Sequence, residues 1–176
     1  MDVVLERVDG RRYRIGATRG GRYDVGADVV VRPGPGGADL PHDLVHFAVE
    51  EVAGLTLGIY GQVAAGGDVG GFFRTGHPRT LAERQRSERV GRAGRHEVER
   101  SELLAGLVGP DGRMRPHPDV DERLRGRIEA RLAELVDAWR AVPAGGRLVL
   151  PWPEHLQLRH GRLPGERRAE VSGRRR

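Results

Sequence analysis

Apolar residues recur with helical spacing through residues 40–55. Leu40, Leu44, Val45, Ala48, Val49, Val52 and Leu55 share one broad arc when each residue advances by about 100°. That arc is expected to face a core. Asp39 reads as the N-cap, Pro41 belongs in a first turn, and Gly54 suits the left-handed residue that ends a helix. The opposite side carries a row of His42, His46 and Glu50, with Asp43 beside it. Glu51 falls at the edge of the arc, where partial burial would call for a partner.

Upstream the pattern changes to alternation. Residues 3–8 and 11–17 read as two strands around Asp9-Gly10, a pair favoured in two-residue type I′ hairpins. A third strand is expected within 27–32, before Pro33-Gly34-Pro35-Gly36-Gly37 breaks the sheet. Downstream, residues 55–65 suggest a second, short helix rich in small residues. Gly66-Gly67-Asp68-Val69-Gly70-Gly71 reads as a turn, because it lacks a phosphate-cradle pattern. Residues 79–108 read as helix interrupted near Gly91 and Gly94. The clearest period follows: Val120, Leu124, Ile128, Leu132, Leu135, Trp139 and Val142, bracketed by Pro118 and Pro143. Arg147-Leu148-Val149-Leu150 is a strand able to rejoin the first sheet, and Trp152 a packing lid.

These elements predict an α+β fold: a small antiparallel sheet, made of an N-terminal meander and a C-terminal strand, with three to four helices packed on one side. Residues 1–163 are expected to form one domain, and 164–176 an Arg-rich disordered tail.

Composition narrows the chemistry. All 30 basic side chains are Arg, and the chain has no Lys, Asn or Cys. A GC-rich genome explains the absence of Lys and Asn, so the net charge of +5 says little about nucleic acid. Without Lys there is no P-loop lysine or Schiff base; without Cys there is no thiol nucleophile, thiolate zinc site or disulfide. The three serines, Ser87, Ser101 and Ser172, stand outside G-x-S-x-G. The start carries acids and lacks the run of a signal peptide, and no apolar run approaches the roughly 20 residues of a membrane span. A bacterial cytoplasmic protein is the expectation these features leave.

The chemistry concentrates at His42-Asp43-Leu44-Val45-His46. Histidines at i and i+4 share one helical face and can share a metal, and imidazole suits zinc. Asp43 stands where H-E-x-x-H enzymes carry their base, one methylene shorter, and is the candidate for proton handling. Glu50 lies about 12 Å along the axis from His42, too far to share its ion, and is cast as the acceptor that orients His46. A third ligand is expected from Asp39, Asp68, His77, His96, Glu97 or His155.

The segment from Leu40 to Gly66 resembles small uncharacterised proteins of high-GC bacteria, in which an HDLxH-x3-E helix precedes a Gly- and Ala-rich stretch. That likeness spans less than a fifth of the chain and implies no activity. His42-Asp43-x-x-His46 is also similar to the HDxxH part of the zinc motif in a ubiquinone-biosynthesis protein family. That motif carries Glu after eleven further residues, where this chain has Gly58.

The functional expectation is therefore a zinc-binding domain centred on this helix, with hydrolysis as its possible chemistry. The alternative is a non-catalytic binding or homo-oligomerisation module. A third reading uses Arg84, Arg86, Arg89, Arg92 and Arg95 against an acidic partner or nucleic acid. Acids interrupt that run and few aromatics are available to stack on bases, so only weak, non-specific nucleic-acid contact is expected.

Overall fold

The computed structural model describes residues 1–37, 39–159 and 162–164. The predicted tail lies, apart from Pro164, outside the described residues. Three N-terminal strands, β1 (Asp2–Arg7), β2 (Tyr13–Thr18) and β3 (Val29–Pro33), are followed by five helices. These are α1 (His42–Ala53), α2 (Ile59–Ala64), α3 (Leu81–Ala93), α4 (Arg95–Leu107) and α5 (Glu122–Arg140). β4 (Arg147–Pro151) then closes the sheet, and a 3-10 turn (Glu154–Leu156) follows. The fold is α+β, with a four-stranded antiparallel sheet ordered β3-β2-β1-β4.

Alternation along the strands decides what faces the helices. Val3, Leu5, Tyr13, Ile15, Ala17 and Leu150 are buried against them, while Val149 and Val30 remain exposed. The β1–β2 connection departs from the two-residue turn expected. Arg7 pairs with Tyr13, so five residues join the strands, and neither Asp9 nor Gly10 has the positive φ that type I′ requires. The side chain of Asp9 explains the difference. Its Oδ1 accepts from the backbone N–H groups of Arg11 and Arg12, forming an Asx turn, and its Oδ2 pairs with the Arg12 guanidinium.

Helix α1 occupies the middle of the helical layer and packs against α2, α4 and α5. Pro41, not Asp39, holds the N-cap position; no side chain caps the helix, and the Pro41 carbonyl accepts from Val45. Gly54 ends it in the left-handed region at φ 73°. Glu51 finds the partner that its position calls for in Arg131 on α5, at 2.6 Å.

Burial along α1 extends beyond the apolar arc. Every residue from Asp43 to Glu50 is buried, because α2 and α4 cover the side that α5 and the sheet leave open. The stretch 79–108 breaks once, at Gly94, and Gly91 lies inside α3. Trp152 packs edge-on to Phe47 and tilted against Tyr60, as a lid over the core. No helix among the described residues is long and apolar enough to cross a membrane.

Candidate metal centre

His42 and His46 stand one turn apart on α1, and their rings meet. The Nε2 atoms lie 3.0 Å from each other, with the ring planes at 87°. Two ligand atoms held about 2.05 Å from a tetrahedral zinc sit about 3.3 Å apart, so this pair is already close to bridging an ion. Glu102 on α4 completes the group. Its carboxylate lies 3.8 Å from His46 Nε2, and one ligand atom from each of the three residues falls within 4.8 Å of the others. His42 and Glu102 are exposed, whereas His46 is only 3 % exposed. The third member is thus none of the six residues named from sequence. Glu97, one of them, accepts instead from Leu57 N and Thr56 Oγ1; Asp68 is held by Ser87 and Arg79.

Behind His46 runs a buried relay. His46 Nδ1 lies 2.8 Å from Ser101 Oγ, and Ser101 donates over 2.6 Å to Glu50 Oε1. Glu50 also accepts from Ile59 N (Oε1, 2.8 Å) and Tyr60 N (Oε2, 3.0 Å), the first amides of α2. With the Ser101 proton given to ionised Glu50, the serine oxygen accepts from His46 Nδ1–H. The lone pair of His46 then sits on Nε2, facing His42 and Glu102. Glu50 does reach His46, but through a hydroxyl rather than directly. The same order disqualifies a catalytic triad: the serine lies between His46 and Glu50 and is fully buried.

Gly58 makes room for this carboxylate. A Cβ there would lie 2.6 Å from Glu50 Cδ, although the backbone at φ −62° would tolerate one. The carboxylate beside the histidines comes instead from α4.

Burial shapes the titration of both ends of the relay. It pushes Glu50 up to about 7, against hydrogen bonds from Ser101, Tyr60 and Ile59 that pull it down. Burial, then the neighbouring His42, takes His46 down to about 3. His46 is therefore a neutral imidazole at any ordinary pH. The two groups act oppositely on stability. Native His46 binds its proton less tightly than the unfolded residue, so its contribution is present above about 6.5 and is lost as pH falls towards 3. Native Glu50 binds its proton more tightly, so its contribution is present below 4.5 and is lost as pH rises through 7. Between 4.5 and 6.5 the slopes oppose each other. In the metal-free Glu50→Gln variant only the histidine slope should remain. Urea titrations across that window are expected to show stability rising with pH by about 1.4 kcal/mol per unit more steeply than in the unmodified protein. Identical slopes would remove Glu50 as a titrating group.

Asp43 faces a different network. Its Oδ2 accepts from the Tyr13 hydroxyl at 2.7 Å, its Oδ1 lies 4.0 Å from Arg32, and its backbone carbonyl accepts from Tyr60. Burial raises its pKa, opposed by Tyr13 and Arg32. It nonetheless shares a cavity of about 340 Å³ with the two histidines and Glu102. Of the Arg run on α3 and at the start of α4, Arg84 and Arg86 donate to the carbonyls of Arg79 and Ala65, and Arg95 pairs with Glu99.

Sequence reasoning missed Ser101 and Glu102. They sit side by side on a helix whose composition, rich in Arg and Glu, resembles a solvated surface. Comparison of the chain with protein-family models, curated proteins and solved structures gives no match.

Proposed function

We propose that this protein binds one divalent transition metal, zinc by preference, through His42 Nε2, His46 Nε2 and the Glu102 carboxylate. The observation that carries the reading is the pair of Nε2 atoms 3.0 Å apart with Glu102 beside them, backed by a relay that turns the lone pair of His46 towards the same point. Two imidazoles at that distance, with a carboxylate at hand, match the donor set and spacing that zinc takes.

Three protein ligands leave a fourth position, and it opens on the cavity. That is the arrangement of catalytic rather than structural zinc sites. The chemistry it suits is hydrolysis. A metal held by His42, His46 and Glu102 would supply Lewis acidity for activating water towards a carbonyl group, with the proton released by the water passed on to the leaving group. Asp43, in the cavity wall and with its pKa raised, is the residue we assign to carrying that proton. Ser101 and Glu50 act through His46 and are positioning residues.

Elemental analysis of untagged protein tests the metal. Near-stoichiometric zinc that is absent from the His42→Ala and Glu102→Gln variants is expected. A metal-free protein whose stability does not respond to added zinc would instead leave the histidines as a partner-facing or packing pair.

A further inference from the structure

The wall of the cavity over the three ligands is divided by chemistry. His42, Asp43, His46 and Glu102 supply its polar groups, and Pro35, Ile59, Val69 and Phe72 its carbon. No Arg stands in that wall, and its charges are carboxylates. Arg32 stacks on the Phe72 ring at 2.8 Å from its centroid and is not itself part of the wall.

The apolar part is built at a cost in backbone strain. Val69 has φ 49°, a conformation that a β-branched residue rarely adopts, and it is the sole non-glycine with positive φ among the described residues. Neighbouring bonds hold it there. Asp68 is pinned by its carboxylate to Ser87 and Arg79, its N–H donates to Ser87 Oγ, and its carbonyl accepts from Phe73 N. Phe73 is buried as an anchor, while Phe72 beside it stays 38 % exposed. A strained valine and a part-exposed phenylalanine, fixed on one short turn beside candidate metal ligands, form a surface shaped for something other than folding.

We infer that this cavity binds small molecules that set one oxygen against the metal and an uncharged aliphatic or aryl group against Val69 and Phe72. The inference rests on the metal reading above and adds to it the class of ligand. The cavity volume of about 340 Å³ lies at the low end of the roughly 300–1,000 Å³ of small-molecule sites, so polymers are excluded as whole ligands. Pro35, Ile59, Val69 and Phe72 offer a charged side group no hydrogen-bond partner from their side chains, so an anionic one would lose hydration without replacement.

Hydroxamates separate the two claims, because their oxygens ligate zinc whatever group they carry. Zinc binding is measured first, by calorimetry; no binding would overturn both the metal reading and this inference. On zinc-loaded protein, affinity is expected to rise roughly tenfold or more from acetohydroxamate to hexanohydroxamate or benzohydroxamate. A hydroxamate of equal length ending in a carboxylate should gain nothing. Val69→Gly and Phe72→Ala should remove most of the gain while zinc and acetohydroxamate bind as before. Val69→Gly should also keep or raise the thermal midpoint, since glycine relieves the backbone, which a purely structural valine would not combine with lost ligand affinity. Equal affinity for all four probes, or preference for the carboxylate-bearing one, would overturn the ligand class and leave the metal reading standing.

Discussion

Replacing Gly58 by Ala should destabilise the protein by about 2–4 kcal/mol, although Gly58 has an ordinary φ and a single methyl is added. The methyl would meet the Glu50 carboxylate, its nearest contact being Cδ at 2.6 Å. That carboxylate is fully buried and holds three donors: Ile59 N, Tyr60 N and Ser101 Oγ. Moving it strains or breaks those bonds in a place water does not reach. A double-mutant cycle isolates the cause. Glu50→Ala alone should cost about 3–5 kcal/mol, because it leaves the donors unpaired and opens a hole. In that background the methyl added by Gly58→Ala has room, so the double variant should cost little more than Glu50→Ala. The coupling should reach about 2 kcal/mol. The lower preference of alanine for the N-cap position, about 1 kcal/mol, occurs in both backgrounds and drops out. Additive losses in urea denaturation would mean that Gly58 serves α2 by itself and not the seat of Glu50.

The second large effect is on metal affinity. His42→Ala, His46→Ala and Glu102→Gln should each weaken zinc binding by more than roughly 100-fold. Ser101→Ala should weaken it by roughly 10- to 100-fold, as expected when a ligand loses the partner that fixes its tautomer. His42 and Glu102 are exposed, so their metal-free variants should melt where the unmodified protein does; His46→Ala and Ser101→Ala should melt lower, because each breaks a buried hydrogen bond. Competition against a chromophoric chelator reads the affinities. Should Glu102→Gln leave zinc affinity unchanged, the carboxylate ligand would be another residue. A loss in Ser101→Ala that equalled the loss in His46→Ala would make the serine a ligand-site residue in its own right.

The sheet, the helices and the meeting of His42 with His46 are legible in the sequence because each depends on spacing within one segment. Val120 to Val142 shows its helix through steps of three and four, and His42 and His46 share a face whatever surrounds them. What surrounds them is not legible. Periodicity marks the apolar arc of α1 but is silent about its other side, which α4 covers with polar and small residues such as Ser101 and Ala105. Glu50 reads in the sequence as the acceptor that orients His46, but its complete burial and its seat at the first amides of α2 do not show there. Ser101 and Glu102 lie more than fifty residues from the histidines in sequence, among Arg and Glu that signal solvent. Tertiary packing alone selects Glu102 over Glu97, whose carboxylate is turned to the 56–57 backbone and side chain. Asp9 misleads for a local reason: Asp-Gly suits a type I′ turn, yet the Asp9 side chain captures two backbone N–H groups and closes a wider loop.

The presence of one metal held by His42, His46 and Glu102 is the central claim, and anomalous diffraction at the zinc edge tests it most directly. Crystals of untagged protein grown with equimolar zinc should show one dominant anomalous peak, about 2.0–2.2 Å from the Nε2 atoms of His42 and His46 and from a Glu102 carboxylate oxygen. A map without a peak there, or with its strongest peak bound by other residues, would contradict the account.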